Sequence, residues 1–375
     1  MIAAIIFTIC IFGGSVLGIA LFGQSDDAVP HMSASIDAPP MPPLADSLNG
    51  ESGALPDLLG DTPAGTNPTE QLDALGNPIP AGLAGTPQTD PATSSNPLPR
   101  VIKGFSGGLI KAPIQGLSRT SPYGPVPAPS SNGRTPAQAY AKPFTAKTDE
   151  IYVSLIIGGL GINRTLTTRA IEQLPANVTL SFAAHAPDLQ EQINAARAKG
   201  HEVLLEIPME SETFNSAEPG ANHTLRSFGP TVEADNLRHL DWLLSRAAGY
   251  FAVTNYNGSQ FLPREDMATP FLKKLADCGI GFIFDGSFAA DTLAPQSQTS
   301  ALPFTAAQLL IDVNPKEALI RQQLAALEAA AQSGGNPIGM GFTYPQTLSA
   351  AEDWARGLSA KGLTLAPASH VMDLK

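Results

Sequence analysis

The chain has 375 residues and a formal net charge of −12. At about 100–200 residues per domain, this length allows one domain of about 200–250 residues plus extra segments. The hydrophobic content of 43% supports a sizeable core, whereas only 15% of the residues are charged. Nucleic acids require basic patches, so this acidic chain is expected to have no nucleic-acid partner.

The chain has two cysteines, Cys10 and Cys278. The first lies in an apolar N-terminal run and the second in a predicted helix, so we expect no disulfide between them. Neither belongs to a cysteine motif with the spacing of metal ligands.

Residues 1–23 contain no charged side chain. About 20 apolar residues span a bilayer as a helix, and no convincing cleavage site follows, so a membrane anchor is favoured over a cleaved signal peptide. Asp26 and Asp27 follow the apolar run, and no Lys or Arg occurs before Arg100. This distribution predicts that the rest of the chain is periplasmic or otherwise extracytoplasmic.

Residues 24–148 are rich in Pro, Gly and Ser, as in the stretch 38–43. Such a composition buries too little apolar surface to offset its ordering entropy, which predicts a disordered linker between membrane and domain. The alternative is a docking arm for a partner, because proline-rich tracts adopt a polyproline II helix that other proteins recognise. One apolar patch, 101–110, is suited to packing on the folded domain.

Residues 149–375 alternate short apolar runs with helical patterns, which predicts one α/β domain with a parallel sheet. The predicted strands are 151–157, 178–182, 202–207, 250–254, 281–284, 309–313, 337–340 and 363–366. The predicted helices are 164–173, 188–199, 231–247, 264–277, 315–332 and 345–360. Seven or eight strand–helix units over this length suit a distorted (β/α) barrel.

The first predicted strand runs directly into Gly158, Gly159 and Gly161. In barrels and doubly wound sheets, the turn after such a strand is a usual place for catalytic groups. These glycines supply no acid, base or nucleophile, and their spacing is not that of a phosphate-binding loop. A position suited to chemistry therefore carries residues that cannot perform it.

The strand ends carry a series of motifs in a fixed order. The motifs are Ile157-Gly-Gly-Leu-Gly161, Gly200-His-Glu-Val-Leu-Leu-Glu-Ile-Pro-Met-Glu210, Val253-Thr-Asn-Tyr-Asn-Gly-Ser259, Phe284-Asp-Gly-Ser287 and Ile338-Gly-Met-Gly-Phe-Thr-Tyr-Pro345. In this order they resemble the divergent polysaccharide deacetylase family, a relative of carbohydrate esterase family 4, from about residue 152 to the C-terminus. The resemblance implies a distorted seven-stranded barrel. It also implies a role in carbohydrate metabolism, since active relatives are metal-dependent amidases that remove N-acetyl groups from polysaccharides.

This chain departs from the family pattern at three places. Gly158 and Gly159 stand where the family pattern Ile-Asp-Asp-Leu-Gly has its two Asp residues. Tyr256 stands where the pattern Asn-Asn-His-Met-Gly-Ser has its His. The motif Gly341-Phe-Thr-Tyr-Pro345 replaces Gly-His-Pro-His-Pro. Glycine has no ligating side chain, and Phe and Tyr are poor zinc ligands. The resemblance therefore predicts a form without metal ligands and without a cofactor.

Residues at the carboxyl ends of barrel strands face the binding mouth. This rule, applied to the predicted strands, gives the candidate binding residues Gly158, Gly159, Asn163, His185, Glu206, Glu210, Asn255, Tyr256, Asn257, Asp285, Ser287, Thr343 and Tyr344. Asn, Tyr, Thr and Glu suit the recognition of sugar hydroxyls and rings, although several of these residues also suit ordinary turns. The catalytic residues are unknown, and the candidates are Glu206 and Asp285, which could act as an acid–base pair on a glycoside.

The function predicted from the sequence is a membrane-anchored, deacetylase-like pseudoenzyme of the cell envelope. It would bind an envelope polysaccharide or a peptidoglycan-processing protein. One alternative is an active polysaccharide hydrolase or deacetylase that uses non-standard residues such as Glu206 and Asp285. Another is an interaction module in which the proline-rich arm recruits the partner.

Overall fold

The computed structural model describes residues 107–216, 221–229, 231–288, 293 and 301–374. The predicted membrane anchor, 1–23, and the linker up to residue 106 lie outside these residues. Within the described ranges, no helix is long and apolar enough to cross a membrane.

Strands and helices alternate through most of the described residues, as the sequence pattern predicts. The strands are β1 (Ser118–Ser121), β2 (Gly124–Pro127), β3 (Ile151–Leu160), β4 (Thr179–Ala183), β5 (Val203–Met209), β6 (Ala252–Asn257), β7 (Gly281–Phe284), β8 (Phe304–Ala306), β9 (Leu309–Leu310), β10 (Ile338–Phe342) and β11 (Leu363–Leu365). The α-helices are α1 (Pro136–Tyr140), α2 (Arg164–Gln173), α3 (Leu189–Ala198), α4 (Val232–Ser245), α5 (Glu265–Asp277), α6 (Glu317–Gln332) and α7 (Pro345–Gly357). Short 3₁₀ turns lie at Ala221–His223, Ser359–Lys361 and Ala368–Val371.

The main sheet is parallel and has the strand order β8-β7-β6-β5-β4-β3-β10-β9, with β11 also paired to β3. Only Ala307 and Gln308 separate β8 from β9, yet these two strands pair with opposite ends of the row. The sheet is therefore curled. The predicted α/β class is confirmed, as a curled, parallel half-barrel with eight strands along this path.

Both faces of the sheet are buried, which explains why its strands read as continuous apolar runs. Ile156, on β3, belongs to a core cluster together with Leu204, Ile283 and Met340. Its neighbours in the sequence, 155 and 157, belong to the larger cluster that includes the helices. This change of side at each residue is the period of two that a strand imposes.

β3 differs from its prediction at its carboxyl end. The sequence predicts that the strand stops at residue 157 and that a glycine turn follows, but β3 continues to Leu160. Its register against β4 shifts between Ile157 and Leu160, and Gly159 has a φ of +70°. An irregularity of this kind needs a residue that tolerates positive φ, so the glycine belongs to a bulged strand end.

The segment 107–148, hereafter the strap, is ordered on the domain. The prediction that the whole of 24–148 is a disordered linker is wrong for this part of the chain, because it contains β1, β2 and α1. β1 and β2 form an antiparallel hairpin. Thr135 and Gln138 form a capping box at the start of α1, where Pro136 is the first residue. The apolar anchors Val126 and Tyr140 are buried, but they are too widely spaced to produce a periodic signal.

The strap attaches to α3 through buried polar contacts. The Arg197 side chain donates to the carbonyls of Ile110 and Tyr140, at 2.9 and 3.0 Å. Asn194 exchanges two hydrogen bonds with the backbone of Ala112, at 2.9 and 3.0 Å. Arg197 lies in the last turn of α3, which leads into the start of β5. The strap therefore lies at the amino ends of the sheet strands.

Candidate functional site

A cleft of about 560 Å³ opens at the carboxyl ends of the sheet strands, which is the size of a small-molecule site. It is lined by Gly159, Ile162, Ala183, His185, Glu206, Pro208, Tyr256, Asn257, Asp285, Ser287, Leu310, Phe342, Thr343 and Tyr344. Parallel strands bring their carboxyl ends to one edge, so residues far apart in the sequence meet here.

Most of the candidate binding residues line this cleft. They are Gly159, His185, Glu206, Tyr256, Asn257, Asp285, Ser287, Thr343 and Tyr344. Gly158, Asn163, Glu210 and Asn255 do not line it. Their positions nevertheless explain how the cleft is built.

Three of these four residues hold backbone in place. Asn163 is the N-cap of α2, and its side chain accepts a hydrogen bond from the amide of Leu166 at 3.0 Å. Asn255 is buried and accepts from the amide of Asp285 at 2.9 Å. The Glu210 carboxylate accepts from the amide of Ser227. Asn163 therefore caps a helix and Glu210 holds a distant loop in place, while Asn255 positions a cleft carboxylate.

Glu206 and Gly158 are complementary in shape. A Cβ atom on Gly158 would lie within 3.0 Å of Oε1 of Glu206, closer than real Cβ atoms approach. The same oxygen accepts a hydrogen bond from the amide of Gly159 at 2.7 Å. The Glu206 carboxyl group thus occupies the space that a side chain at position 158 would need.

The Glu206 carboxyl group is almost completely buried, with 3% of the residue exposed. Burial disfavours its ionised form and raises its pKa to about 7, with a further contribution from the charge of Asp285. The hydrogen bond from the Gly159 amide acts in the opposite direction. A carboxyl group with this pKa can hold or release a proton near neutral pH.

Asp285, at the end of β7, is the second buried carboxyl group of the cleft. Its Oδ1 atom accepts from the amide of Ser287 at 2.9 Å and from the Ser287 hydroxyl at 2.6 Å. Burial raises the pKa of Asp285, and the Ser287 hydrogen bonds oppose this shift. The residue therefore serves both interpretations given for it, because it caps its own turn and faces the cleft.

The β10 side of the cleft is fixed by Asp312, which sequence reasoning missed. Its Oδ2 atom accepts from the amide of Phe342 at 2.6 Å and from the Thr347 hydroxyl at 2.8 Å. Thr343 then donates to the carbonyl of Gly158 at 2.7 Å, which joins β10 to the bulged end of β3. The available signal was the position of Asp312 near the end of a predicted strand, where an acidic residue serves to hold the neighbouring loop.

Apolar and aromatic groups form the rest of the cleft. The rings of Tyr256 and Phe342 meet edge to face, with centroids 6.1 Å apart. Tyr256, Tyr344 and Ile162 are 45%, 46% and 55% exposed, which is unusual for large apolar side chains. Sequence reasoning selected polar residues and so missed the lining residues Ile162, Ala183, Pro208, Leu310 and Phe342.

His185 contributes a neutral group to the cleft. Its Nδ1 atom is buried and has no hydrogen-bond partner among the described residues. Burial lowers the pKa of this imidazole, and the charge of Arg246 lowers it further. At neutral pH the ring therefore carries no charge.

The positions that hold a divalent cation in the family's pattern do not fit one here. Position 158 has no side chain, and Glu206 fills the space beside it. Tyr256 and Phe342 supply aromatic rings at two further positions. Among the residues that the structure describes, no group of three His, Cys, Asp or Glu side chains is placed to hold a metal ion. The loss of metal ligands stays a prediction from the sequence, with which this arrangement is compatible.

Solved structures similar to this chain include a crystal structure of the uncharacterized protein ATU2773 from Agrobacterium tumefaciens C58. It is 30% identical, covers 66% of this chain and 99% of its own, and has a TM-score of 0.63. The catalytic domain of peptidoglycan N-acetylglucosamine deacetylase from Eubacterium rectale ATCC 33656 is 15% identical, covers 62% and 96%, and has a TM-score of 0.40.

A further similar structure is BA3943, a CE4 family pseudoenzyme from Bacillus anthracis. It is 13% identical, covers 66% of this chain and 73% of its own, and has a TM-score of 0.35. TM-scores below 0.5 are too low for the last two likenesses to carry an argument about function. No curated protein matches the chain significantly.

The sequence itself matches a family model described as divergent polysaccharide deacetylase over residues 155–372. These residues span more than half of the chain and run from β3 to the final 3₁₀ turn, so they include every strand that contributes to the cleft. Together with the 30% identity to a structure that is covered over 99% of its length, this match is decisive. The chain belongs to the divergent polysaccharide deacetylase family.

Proposed function

We propose that the chain binds a cell-envelope polysaccharide in this cleft, without metal-dependent catalysis. The observation that carries the proposal is the position of Glu206, whose carboxyl group fills the space beside Gly158. A metal-ligating side chain at position 158 would have no room while Glu206 stays in place. In this proposal the chain has the family's fold but lacks its metal-dependent activity, as a pseudoenzyme does.

The proposal includes the finer architecture and location predicted from the sequence. The row has eight strands, with β8 and β9 at its two ends. If β8 and β9 are counted as one interrupted strand, seven strands remain, which is the number in the distorted barrel that the family resemblance implies. Residues 1–23 would anchor the chain in the membrane, with the domain on the extracytoplasmic side. A peptidoglycan-processing protein is the second kind of partner that this location would allow.

The chemistry of the cleft supports binding of a sugar. Tyr256 and Tyr344 are about half exposed, so their rings offer aromatic surface on which the apolar side of a pyranose ring can stack. Asn257, Ser287 and Thr343 add amide and hydroxyl groups that can exchange hydrogen bonds with sugar hydroxyls. This combination of apolar surface with a few polar groups is typical of small-molecule sites.

The test is a titration of the protein with a tetramer of N-acetylglucosamine, in which isothermal titration calorimetry measures the binding. Tyr256→Ala and Tyr344→Ala should each weaken binding roughly three- to tenfold, since each removes one stacking surface. Tyr123→Ala is the matched control, because Tyr123 is equally exposed at 45% but lies in the strap hairpin. Tight, stoichiometric binding of zinc together with release of acetate from the tetramer would overturn the proposal.

A second candidate function is hydrolysis of a glycoside by Glu206 and Asp285. It is favoured by the presence of two buried carboxyl groups with raised pKa values in one cleft, an arrangement that suits acid–base catalysis. Glu206→Gln and Asp285→Asn, assayed for the release of reducing ends from envelope polysaccharide, separate the two functions. Hydrolysis by the wild type that both variants lose would favour this second function over binding alone.

A further inference from the structure

The charge of the cleft limits the kind of sugar that it accepts. Among the described residues that line it, Glu206 and Asp285 are acidic, and none is lysine or arginine. His185 is neutral at pH 7 because burial lowers its pKa. The nearby Arg246 does not line the cleft, and its guanidinium group lies 5.2 Å from the ring centroid of Trp242. The built-in charge of the lining is therefore zero or negative.

Aromatic rings line the same cleft as these acidic groups. Tyr256 and Phe342 pack against each other at the mouth, and Tyr344 belongs to the same lining. The face of an aromatic ring attracts a cation, and the attraction grows when water is excluded. A carboxylate and an aromatic face on the walls of one cleft therefore favour the same class of ligand group, which is an ammonium.

We infer that the cleft prefers a saccharide unit with a free amino group over its N-acetylated form. This inference rests on the proposed function, because it names the kind of sugar that the same cleft takes. The ammonium would lie between the carboxyl groups at the base of the cleft and the aromatic rings at its mouth. An N-acetyl group carries no charge, so it forms neither an ion pair with the carboxyl groups nor a cation–π contact with the rings.

Buried carboxyl groups also give the ammonium a larger advantage than exposed ones would. Glu206 and Asp285 are 3% and 4% exposed, so their field is weakly screened by solvent. Glu206 is held in place by the Gly159 amide, and Asp285 by the Ser287 amide and hydroxyl. A ligand cation therefore meets two acidic groups that are already oriented, and little ordering is needed on binding.

The experiment compares two tetramers of the same backbone, one fully N-acetylated and one fully de-acetylated, by calorimetry at pH 7. The wild type should bind the de-acetylated tetramer about tenfold more tightly, the factor expected when the ammonium gains both an ion pair with the carboxyl groups and a cation–π contact with the rings. Tyr256→Ala should also reduce this preference, because it removes an aromatic face that attracts the cation.

Two variants test whether the carboxyl groups cause the preference. Glu206→Gln and Asp285→Asn should each reduce the affinity ratio of the two tetramers, while Asp149→Asn, which removes an exposed carboxylate, should leave it unchanged. Circular dichroism establishes that each variant is folded. If one variant does not fold, the affinity ratio of the other carboxyl variant and that of Tyr256→Ala decide the question.

Each outcome has a distinct meaning. Equal affinities, or tighter binding of the acetylated tetramer, overturn this inference but leave the proposed polysaccharide binding intact. A preference for the de-acetylated tetramer that survives both carboxyl substitutions also overturns it. If neither tetramer binds, the inference and the proposed function both fail.

Discussion

At the scale of single residues, the site depends on Gly158 and Glu206, because each of these residues requires the other. Gly158 can be nothing larger while Glu206 keeps its position, since any Cβ atom there collides with Oε1 of Glu206. Conversely, Glu206 can reach the Gly159 amide only because position 158 has no side chain. The glycine is therefore explained by its neighbour, and not by backbone conformation, since no positive φ is found at 158.

Gly158→Ala should destabilise the folded protein by roughly 1–3 kcal/mol, because the added methyl group displaces Glu206 from its hydrogen bond. Adding Glu206→Ala should recover part of this loss, so the double variant is less destabilised than the sum of the two single variants. Urea denaturation monitored by circular dichroism measures all three. Gly357→Ala is the control, since nothing lies within 4 Å of its Cβ position and the residue ends α7. Strict additivity of the two cleft substitutions would contradict this coupling.

Glu206 also predicts a pH dependence of stability. Its pKa in the folded protein is raised to about 7 from the ordinary 4.5. Between these values the unfolded chain releases a proton that the folded chain retains, so Glu206 makes folding less favourable as the pH rises through this window. Glu206→Gln removes this dependence. Its stability relative to the wild type should therefore rise between pH 4.5 and 7, by at most about 3 kcal/mol, and then level off.

Unfolding free energies of both proteins, measured in urea from pH 4.5 to 8, give this difference directly. Asp149→Asn serves as the comparison, because it neutralises an exposed carboxylate. A constant difference between Glu206→Gln and the wild type across the whole range would show that the carboxyl group is not protonated in the folded state at neutral pH.

At the scale of elements, the strap and α3 form one structural unit. Arg197 is 1% exposed and donates to three backbone carbonyls, those of Ile110, Tyr140 and Gly249. Burial lowers the pKa of its guanidinium group to about 10, so the charge persists at neutral pH. One side chain thus joins the strap, the last turn of α3 and the segment that leads into β6.

Arg197→Met should destabilise the protein by roughly 3 kcal/mol or more, because three buried carbonyls lose their donor. Met has a similar length and retains the apolar packing of the side-chain stem. Arg238→Met, on the exposed side of α4, should change stability by no more than about 0.5 kcal/mol. Thermal and urea denaturation of both variants provide the comparison, and similar losses for the two would refute the role given to Arg197.

The strap also belongs to the folding unit, which therefore includes residues before 149. A chain that begins at residue 107 should unfold cooperatively, with a melting temperature close to that of the full chain. A chain that begins at residue 149, where the sequence analysis places the boundary, exposes the surfaces that Val126 and Tyr140 cover. It should aggregate or melt at a clearly lower temperature, as size-exclusion chromatography and calorimetry would show. Equal melting temperatures would mean that the strap adds no stability.

Sequence reasoning located the strands and helices of 149–375 well, because continuous apolar runs and helical patterns differ in period there. It ended β3 at residue 157, since glycines usually mark turns, whereas the hydrogen bonds of the neighbouring strands carry β3 to Leu160. It missed β8 because a three-residue strand has no period. It missed the strap because a few buried anchors among prolines resemble a linker in composition.

The candidate site was accessible from the sequence for a physical reason, namely that parallel strands place their carboxyl ends together. The rule selected Glu206, Tyr256, Asp285 and Tyr344, and these four residues line the cleft. It could not reveal that Glu206 fills the space beside Gly158, because that contact joins β3 to β5 across β4. Contacts between strands that are not adjacent depend on the curvature of the sheet, which no local pattern encodes.

At the scale of the whole molecule, Cys278 reports on the integrity of the domain. Among the described residues it is the free cysteine, and it is completely buried. The next residue, Gly279, accepts a hydrogen bond from Ala137 of the strap at 2.9 Å. Burial raises the pKa of the thiol, so its reactive thiolate form is scarce until the region opens.

In a Cys10→Ser background, alkylation of Cys278 by iodoacetamide should be at least about 100-fold slower in the native protein than in urea. Arg197→Met should accelerate it, because a loosened strap uncovers the edge where Gly279 lies. Mass spectrometry of quenched samples gives the rates. Labelling of the native wild type as fast as the unfolded chain would contradict the described burial.

The two ends of the described polypeptide lie on the side of the domain opposite the cleft. Leu109 bonds to the end of α3, and the carbonyl of Leu374 accepts from Gln138 of α1 at 2.8 Å. Both contacts are at the amino ends of the sheet strands, whereas the cleft is at their carboxyl ends. A tag, fusion partner or sensor chip joined at the C-terminus would therefore leave the opening of the cleft directed toward the bulk solution.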